Sequence, residues 1–252
     1  MTDTLGSFIT QEPFLLPPLA AILVFFVWSA ISSGEAKRLI RSGDDPDARM
    51  KAYAWTIGSL WALAAICTAG WVISGRTLAE LGFRLEGGLP ALGGWAIALA
   101  GLAYMVWTLI AAATSRKARA SVREQLAGPG EYDLVRPETG PEHIRFQWVS
   151  LTAGITEEIV FRGFMIGVFA LVLPLWAAAG LSLILFVMGH AYQGAAGMAR
   201  VAVIGLVFTL VFLLSGSLWP VILLHIGVDA SAGGLFRLIQ QNAARDAAAE
   251  PG

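Results

Sequence analysis

Long runs of apolar residues, separated by polar segments, dominate the chain. A helix needs about 20 consecutive apolar residues to cross the hydrocarbon core of a bilayer. Seven stretches come close to or exceed that length. The predicted spans are residues 14–33, 53–74, 91–113, 146–173, 175–193, 199–215 and 218–240. The pattern therefore predicts an all-α polytopic membrane protein with about seven transmembrane helices.

The polar segments divide these spans into two groups. Charged loops separate the first three spans, whereas very short connections join the last four. The sequence thus predicts a three-span region followed by a core of four helices, with a polar loop between them. The four predicted parts are an N-terminal region at 1–114, a basic cytoplasmic loop at 115–145, the four-helix core at 146–240 and a cytoplasmic tail at 241–252.

The loop between the two groups has two parts of different composition. Residues 116–127 are rich in Arg and Lys, and they form either a basic helix on the membrane surface or a helix end followed by a solvated linker. Residues 128–142 carry Gly and Pro at both ends, which predicts irregular structure.

The distribution of Lys and Arg predicts the orientation of the chain. Residues 34–52 carry five of these cations and residues 114–145 carry six, whereas 75–90 carry two. Basic loops stay in the cytoplasm, so we expect the N-terminus outside and, after seven spans, the C-terminus in the cytoplasm. Residues 1–13 contain no basic residue, so we do not expect the first span to be a cleaved signal peptide.

The composition agrees with a membrane protein and excludes several other classes. Hydrophobic residues make up 56% of the chain, charged residues 14%, and mean hydropathy is +0.68. A soluble domain usually carries about a quarter charged residues. The net charge of −1 provides no field for nucleic acid, so we expect no nucleic-acid partner. One cysteine, Cys67, excludes a disulfide framework, and the absence of an internal repeat disfavours an inverted-repeat transporter.

Ionisable side chains inside the spans are confined to the last four. A charged side chain in a bilayer costs a few to more than ten kcal/mol, so it persists mostly where it is paired, hydrated or used. The first three spans contain no Asp, Glu, Lys, Arg or His. The candidates lie in three short sequences, and they are Glu157, Glu158, Arg162, His190, His225 and Asp229.

The spacing of these residues suggests pairs. Glu158 and Arg162 are four apart, as are His225 and Asp229, so each pair shares a helix face. Glu157 is rotated by about 100° from Glu158 on a helix with about 3.6 residues per turn, so it can face a different cavity. Phe186 and His190 repeat the spacing of four and place a large apolar ring beside an imidazole.

A purely structural role is the alternative for each of these residues. The Glu158–Arg162 pair can be a salt bridge that holds helices together, and a lone intramembrane histidine is often a hydrogen-bonding group between helices. Structural pairs of this kind would also be expected in the first three spans, which have none. The concentration of six ionisable groups in four consecutive spans therefore favours a functional site.

Three motifs in this order resemble the CPBP family, the CAAX-protease and bacteriocin-processing intramembrane proteins related to the eukaryotic type II prenyl-protein endopeptidases. The motifs are E-E-x-x-x-R from Glu157 to Arg162, F-x-x-x-H from Phe186 to His190, and H-x-x-x-[N/D] from His225 to Asp229. Each motif alone is weak, but all three in order on consecutive apolar helices are specific. The resemblance covers about 146–240 and makes that core catalytic.

The resemblance implies a role for each motif residue. Glu157 would be the base that activates a water, and His190 would help to hold that water. His225 and Asp229 would support the site or stabilise the oxyanion. Glu158 and Arg162 would be supporting or substrate-orienting groups, and Phe186 belongs to the same supporting set. Eukaryotic relatives carry asparagine at the position of Asp229. An ionised aspartate cannot donate a hydrogen bond to an oxyanion. Three roles for Asp229 therefore stay open: an acceptor for His225, a metal ligand and a protonated acid.

The residues themselves favour attack by water. Cys67 lies outside the core, and Ser182 and Ser231 have no obvious triad partner, so no nucleophilic side chain is evident. Two histidines and a carboxylate are also a credible zinc set with a water as fourth ligand. Zinc held by Glu157, His190 and His225 and a metal-free mechanism are both open.

The expected function is an intramembrane endopeptidase that cleaves a membrane-associated or lipidated protein or peptide. One alternative is a non-catalytic membrane scaffold or bacteriocin-immunity type of protein with the same fold, and intact Glu157, His190 and His225 argue against it. A proton- or cation-coupled transporter is the other alternative, disfavoured by the missing repeat and the odd number of spans. The Ala-, Gly- and Arg-rich composition points to a bacterial inner membrane as the location.

Overall fold

The computed structural model describes residues 8, 10–126 and 136–248, and within these residues the chain is helical with no strand. Short 3-10 turns at Pro13–Leu15 and Ala191–Gln193 precede two of the helices. The helices are α1 (Leu16–Ser42), α2 (Ala48–Ile73), α3 (Leu89–Thr114), α4 (Arg116–Leu126), α5 (Gly140–Glu157, continued by the π-helix Glu158–Met165 and by Ile166–Phe169), α6 (Leu175–Gly189), α7 (Gly194–Ser215) and α8 (Leu218–Ala248).

Within the described residues, five helices are long and apolar enough to cross a membrane. They are α1 with its preceding turn, α2, α3, α7 with its preceding turn, and α8. α6 is apolar but has only 15 residues, and α5 carries Glu157, Glu158 and Arg162 in its middle. The all-helical membrane fold is therefore confirmed, whereas the number of seven spans stays a prediction.

Apolar side chains cover much of the outer surface of these helices. Leu23 on α1, Trp107 on α3 and Val203 on α7 are each more than 60% exposed. A soluble monomer rarely exposes large contiguous apolar patches, so this surface fits a surrounding of lipid.

Several helix ends differ from the predicted span edges. α1 continues to Ser42, where Gly43 with φ 71° ends it. Part of the predicted basic loop is helical, because 116–127 forms α4 up to Leu126, and the position of this helix on the membrane surface stays a prediction. The prediction of irregular structure over 128–142 is wrong for its last residues, since a capping box of Thr139 and Glu142 starts α5 at Gly140. Residues 128–135 of that prediction lie outside the described residues.

The ends of α6 and α8 also differ from the predicted span edges. α6 ends at Gly189, so His190 caps the helix instead of lying inside a span. α8 extends to Ala248, so most of the predicted tail at 241–252 is helical. Polar residues continue both α1 and α8 beyond the apolar run, because a helix is ended by a cap or a breaker and not by polarity.

The described parts of both predicted basic loops lie at one end of the bundle. Arg49, in the first turn of α2, is 3.3 Å from Glu138 just before α5. Arg119 on α4 donates to both carboxylate oxygens of Asp246 near the end of α8, at 2.8 and 2.7 Å. These contacts bring the start of α2, α4, the start of α5 and the end of α8 together, and we call this the basic end.

At the opposite end, the connection between α2 and α3 covers the core. Leu81 is fully buried, and a Cβ built on Gly163 of α5 would lie 2.7 Å from its carbonyl oxygen. The Leu218 amide, at the start of α8, donates to the carbonyl of Gly82 at 2.9 Å. Gly163 is thus required for close approach, which agrees with the packing role expected for small residues.

The first three helices pack directly on the last four. α2 lies against α5, and α3 lies against α7 and α8. The buried core contains Phe164 of α5, Phe186 of α6 and Phe208 of α7, together with Leu63 of α2. The three-span region and the four-helix core therefore share one interior.

Candidate active site

The two adjacent glutamates of α5 lie where the α-helix becomes a π-helix. Glu157 is the last residue of the α-helical part, and Glu158 is the first of the π-helical part. A π-helix bonds i to i+5, is rare, and is frequent at functional sites. Part of its backbone is satisfied from outside, because Ser182 of α6 donates to the Phe161 carbonyl at 2.7 Å.

Glu158 forms the centre of a completely buried polar cluster. Its Oε1 accepts from Arg162 Nη1 at 2.8 Å and lies 2.7 Å from His225 Nδ1. The side chains of Glu158 and Arg162 are 0% and 1% exposed. The predicted pair on one helix face is confirmed, and His225 from α8 joins it.

Arg162 connects this cluster to α7 and α6. Its Nη2 donates to the Gly205 carbonyl at 3.1 Å. The guanidinium carbon lies 4.3 Å from the ring centroid of Phe186 and 5.5 Å from that of Phe208. A cation over an aromatic face is stabilised by about 2 kcal/mol or more when desolvated. The ring of Phe186 therefore contacts Arg162, and its supporting role stays a prediction.

Glu157 points away from this cluster and toward His190. Glu157 Oε2 and His190 Nε2 are 3.9 Å apart, and the two side chains are 13% and 17% exposed. Oε2 is buried and accepts no hydrogen bond within the described part of the chain. The predicted rotation between the two glutamates is confirmed, since Glu158 has an arginine and Glu157 does not.

The backbone of α6 fixes the ring of His190. Its Nδ1 lies 2.8 Å from the Phe186 carbonyl oxygen. A carbonyl only accepts, so Nδ1 carries the hydrogen and the neutral ring presents the lone pair of Nε2 toward Glu157. The ring packs against Phe186, with centroids 4.7 Å apart, and stacks on Tyr192 at 6.0 Å.

His225 lies between two carboxylates. Nδ1 faces Glu158, and Nε2 is 3.6 Å from Asp229 Oδ2, which is longer than a hydrogen bond. The His225 side chain is 6% exposed and that of Asp229 is 36% exposed. The predicted pair four residues apart is confirmed as neighbours.

A cavity of about 540 Å³ reaches Glu157 and His190. Most of its lining comes from α1 and α2, with the aromatic residues Phe26, Trp28 and Trp55 among them. This volume lies within the range of ligand pockets, about 300–1,000 Å³. The carboxylate and imidazole therefore stand at a largely apolar cavity large enough for part of a substrate.

The geometry is a poor fit for the expected zinc set. Within the described residues, no group of three or more His, Cys, Asp or Glu side chains is placed to hold a metal ion. His225 Nδ1 is engaged by Glu158, whereas Glu157 and His190 face each other at the cavity. We therefore derive no step through a metal, and zinc stays a prediction.

Some residues of the site carry no signal in the sequence. The Gly205 carbonyl accepts from both Arg162 and Thr209, and a backbone oxygen is invisible in a motif search. Tyr192 follows His190 by two residues, but nothing in its spacing marks it. The helices α1 and α2 line the cavity but have no ionisable residue deep in their spans, so the sequence does not mark them as part of the site.

The fold and the site define a class: an all-helical membrane protein with a carboxylate and an imidazole at a largely apolar cavity. A family model described as type II CAAX prenyl endopeptidase Rce1-like matches residues 141–231. All three motifs lie inside this match, which confirms the resemblance to the CAAX-protease family and implies a protease. The match covers a little over a third of the chain. No curated protein and no solved structure matches the chain.

Proposed function

We propose that the protein is an intramembrane endopeptidase that hydrolyses a peptide bond of a membrane-associated or lipidated substrate with water activated by Glu157. The single observation that carries this proposal is the opposition of Glu157 Oε2 and His190 Nε2 at 3.9 Å beside the cavity. The family match to a prenyl endopeptidase supports the reaction class.

The gap between the two side chains suits one water molecule. Glu157 Oε2 and the Nε2 lone pair of His190 are both acceptors. A water at about 2.8 Å from each can donate one hydrogen to the carboxylate and one to the imidazole. Both groups are held in place, by α5 and by the Phe186 carbonyl, so the water is oriented before the substrate arrives.

In the proposed reaction, Glu157 takes a proton from the water as its oxygen bonds to the carbonyl carbon of the peptide. The carbonyl oxygen becomes an oxyanion. The C–N bond then breaks, the oxyanion returns to a carbonyl, and the leaving nitrogen receives the proton from Glu157. The products are a carboxylic acid and an amine, and the base is restored.

The second cluster has a supporting role in this proposal. Glu158 is committed to Arg162 and His225, so it is not the base. It holds His225 Nδ1, and His225 Nε2 remains to reach a substrate oxygen because its distance to Asp229 exceeds a hydrogen bond. Asp229 Oδ2 lies 3.6 Å from this nitrogen, so the three roles considered for Asp229, an acceptor for His225, a metal ligand and a protonated acid, stay open.

Glu157→Gln tests the assignment of the base. With a fluorogenic farnesylated CAAX peptide in nanodiscs, we expect kcat to fall about 10²–10⁴-fold with KM little changed. Thermal stability should be retained, since the amide keeps the shape and Oε2 has no partner to lose. Glu124→Gln, an exposed carboxylate on α4, is the matched control.

Two outcomes would contradict the proposal. Wild-type cleavage by Glu157→Gln would remove Glu157 from the chemistry, and a wild-type protein that binds peptides without cleaving them would indicate the non-catalytic scaffold. The metal content of the same preparation, compared with a His190→Ala/His225→Ala variant, tests zinc. Stoichiometric zinc lost in the double variant would replace the metal-free mechanism.

We also propose a bacterial inner membrane with the N-terminus outside and the C-terminus in the cytoplasm. The basic end supports this orientation, because it gathers the start of α2, α4 and the end of α8. A C-terminal reporter that is active only in the periplasm should be inactive, and its activity would reverse the orientation.

A further inference from the structure

The cavity that reaches Glu157 and His190 forms a groove between α1 and α2. This groove is built mainly by helices outside the family match. Residues 25–63 of α1 and α2 supply most of its lining, whereas the match begins at residue 141. The core that carries the motifs therefore supplies the chemistry, and the N-terminal helices supply most of the surface that a substrate would contact.

The groove has the length of a short extended peptide. Its lining on α2 includes Lys51, one turn from the start of the helix at the basic end, and extends as far as Leu63. These twelve steps of a helix rise about 18 Å at about 1.5 Å per residue. An extended chain advances about 3.3 Å per residue, so about five residues fill this length.

Hydroxyl groups line the middle of this largely apolar groove, whose charged lining residues Glu35, Asp45 and Lys51 lie toward the basic end. Ser32 of α1 and Ser59 of α2 bond the Ser29 and Thr56 carbonyls of their own helices at 3.4 and 3.3 Å. A hydroxyl that donates to its own helix still has lone pairs to accept a second hydrogen bond. An extended peptide away from water must find partners for its amides, whereas an acyl chain has no such need. The hydroxyls favour a peptide as the occupant.

Two tryptophans lie at the rim of this groove. Trp28 of α1 and Trp55 of α2 both line it, their ring centroids are 6.1 Å apart, and they are 52% and 53% exposed. Their rings bridge the two helices on the side where the groove meets the surroundings. Shortening either side chain would therefore widen the groove between the two helices.

We propose that Trp28 and Trp55 determine substrate specificity by bounding a groove between α1 and α2 that holds an extended apolar peptide segment. This inference rests on the proposed peptidase function. It assigns selection of the substrate to the N-terminal helices and catalysis to the core.

A pair of peptides tests the selection. The two fluorogenic peptides differ only in Ala or Trp at one position beside the scissile bond, and the ratio of their kcat/KM values is measured in nanodiscs. Trp28→Ala and Trp55→Ala should each shift the ratio toward the Trp peptide by about tenfold or more. Trp107→Ala, 63% exposed on α3 and outside the groove, should shift it by less than about twofold. If the wild type and the three variants all gave the same ratio of kcat/KM values, the proposal would be overturned.

A labelling experiment separates this inference from the proposed function. In a Glu157→Gln/Cys67→Ala background, Ser32→Cys places a thiol in the groove, and a maleimide-bearing apolar pentapeptide should label it at least tenfold faster than Thr108→Cys on exposed α3. Excess unlabelled pentapeptide should suppress this labelling, and farnesol should not.

Each labelling outcome has a distinct meaning. Suppression by farnesol alone would show that an isoprenoid hydrocarbon chain occupies the groove, and equal labelling of the two thiols would remove the groove as a peptide site. Either result overturns the inference. Selective labelling in a protein whose wild type cleaves no peptide would keep the groove and refute the peptidase.

Discussion

Replacing Arg162 by methionine removes a buried guanidinium and leaves its carboxylate partner in place. Arg162 is 1% exposed, donates to Glu158 at 2.8 Å and to Gly205 at 3.1 Å, and lies over Phe186 at 4.3 Å. Methionine fills similar space but donates nothing. Glu158, 0% exposed, then keeps only His225 as a donor.

The expected loss of stability follows from this geometry. Removing one partner of a buried ion pair costs about 3–5 kcal/mol, because the remaining charge is buried without compensation. The unfolding equilibrium constant should therefore rise by roughly two to four orders of magnitude. Arg38→Met breaks an equally short pair with Glu35 at 2.6 Å, but both side chains are more than half exposed. This control should cost about 0–1 kcal/mol.

A double-mutant cycle measures the pair itself. In Glu158→Gln/Arg162→Met, both charges are gone and the amide oxygen still accepts from His225. The double variant should therefore be more stable than the sum of the two single losses predicts, by about 1.5–3 kcal/mol. Unfolding by SDS in mixed micelles, followed by circular dichroism, gives each free energy. Additive single effects would refute the claim that these residues form a coupled pair.

Two further predictions concern the ends of the bundle. Gly163→Ala should cost about 1–3 kcal/mol, because its Cβ would lie 2.7 Å from the Leu81 carbonyl oxygen. Gly180→Ala is the control, because a Cβ at this position would have nothing within 4 Å, and it should be neutral or stabilise the protein by about 0.5–1 kcal/mol. Equal shifts in the melting temperature of the two variants would contradict the close packing at Gly163. At the basic end, hydrogen bonds from Arg119 hold the pKa of Asp246 below its usual 3.8. The pair therefore stabilises the fold well above pH 3.8, and the advantage of the native protein over Asp246→Asn should shrink as pH falls below that value; a pH-independent difference would refute the pairing.

The helices and the two carboxylate environments could be predicted from the sequence. Apolar runs locate α2, α3 and α8 to within a few residues at their apolar ends, because burial in lipid requires long uncharged helices. Helical spacing also separates Glu157 from Glu158, since a rotation of about 100° survives the local change to a π-helix. The positions of the helices and the orientation of the two glutamates depend only on residues that are close in sequence, so the sequence is sufficient to predict them.

The groove and the links between helices could not be predicted in this way. Nothing in the spacing of Trp28 and Trp55 predicts that they line the groove, because a uniformly apolar helix does not show which of its faces meets another helix. The contact of Arg162 with the Gly205 carbonyl depends on where α7 docks. Arg49 looks like one cation of a basic loop until its partner Glu138, far along the chain, is placed beside it.

The contacts of Leu81 and Gly82 with α5 and α8 limit how this fold can vary among related sequences. A loop from the N-terminal region fills a space that only a glycine at 163 leaves open, and it bonds the first amide of α8. The residues that match the family therefore do not form an independent module that can be exchanged between proteins. We expect homologous sequences to vary together at 81 and 163, so that a larger residue in the helix accompanies a shorter or displaced loop.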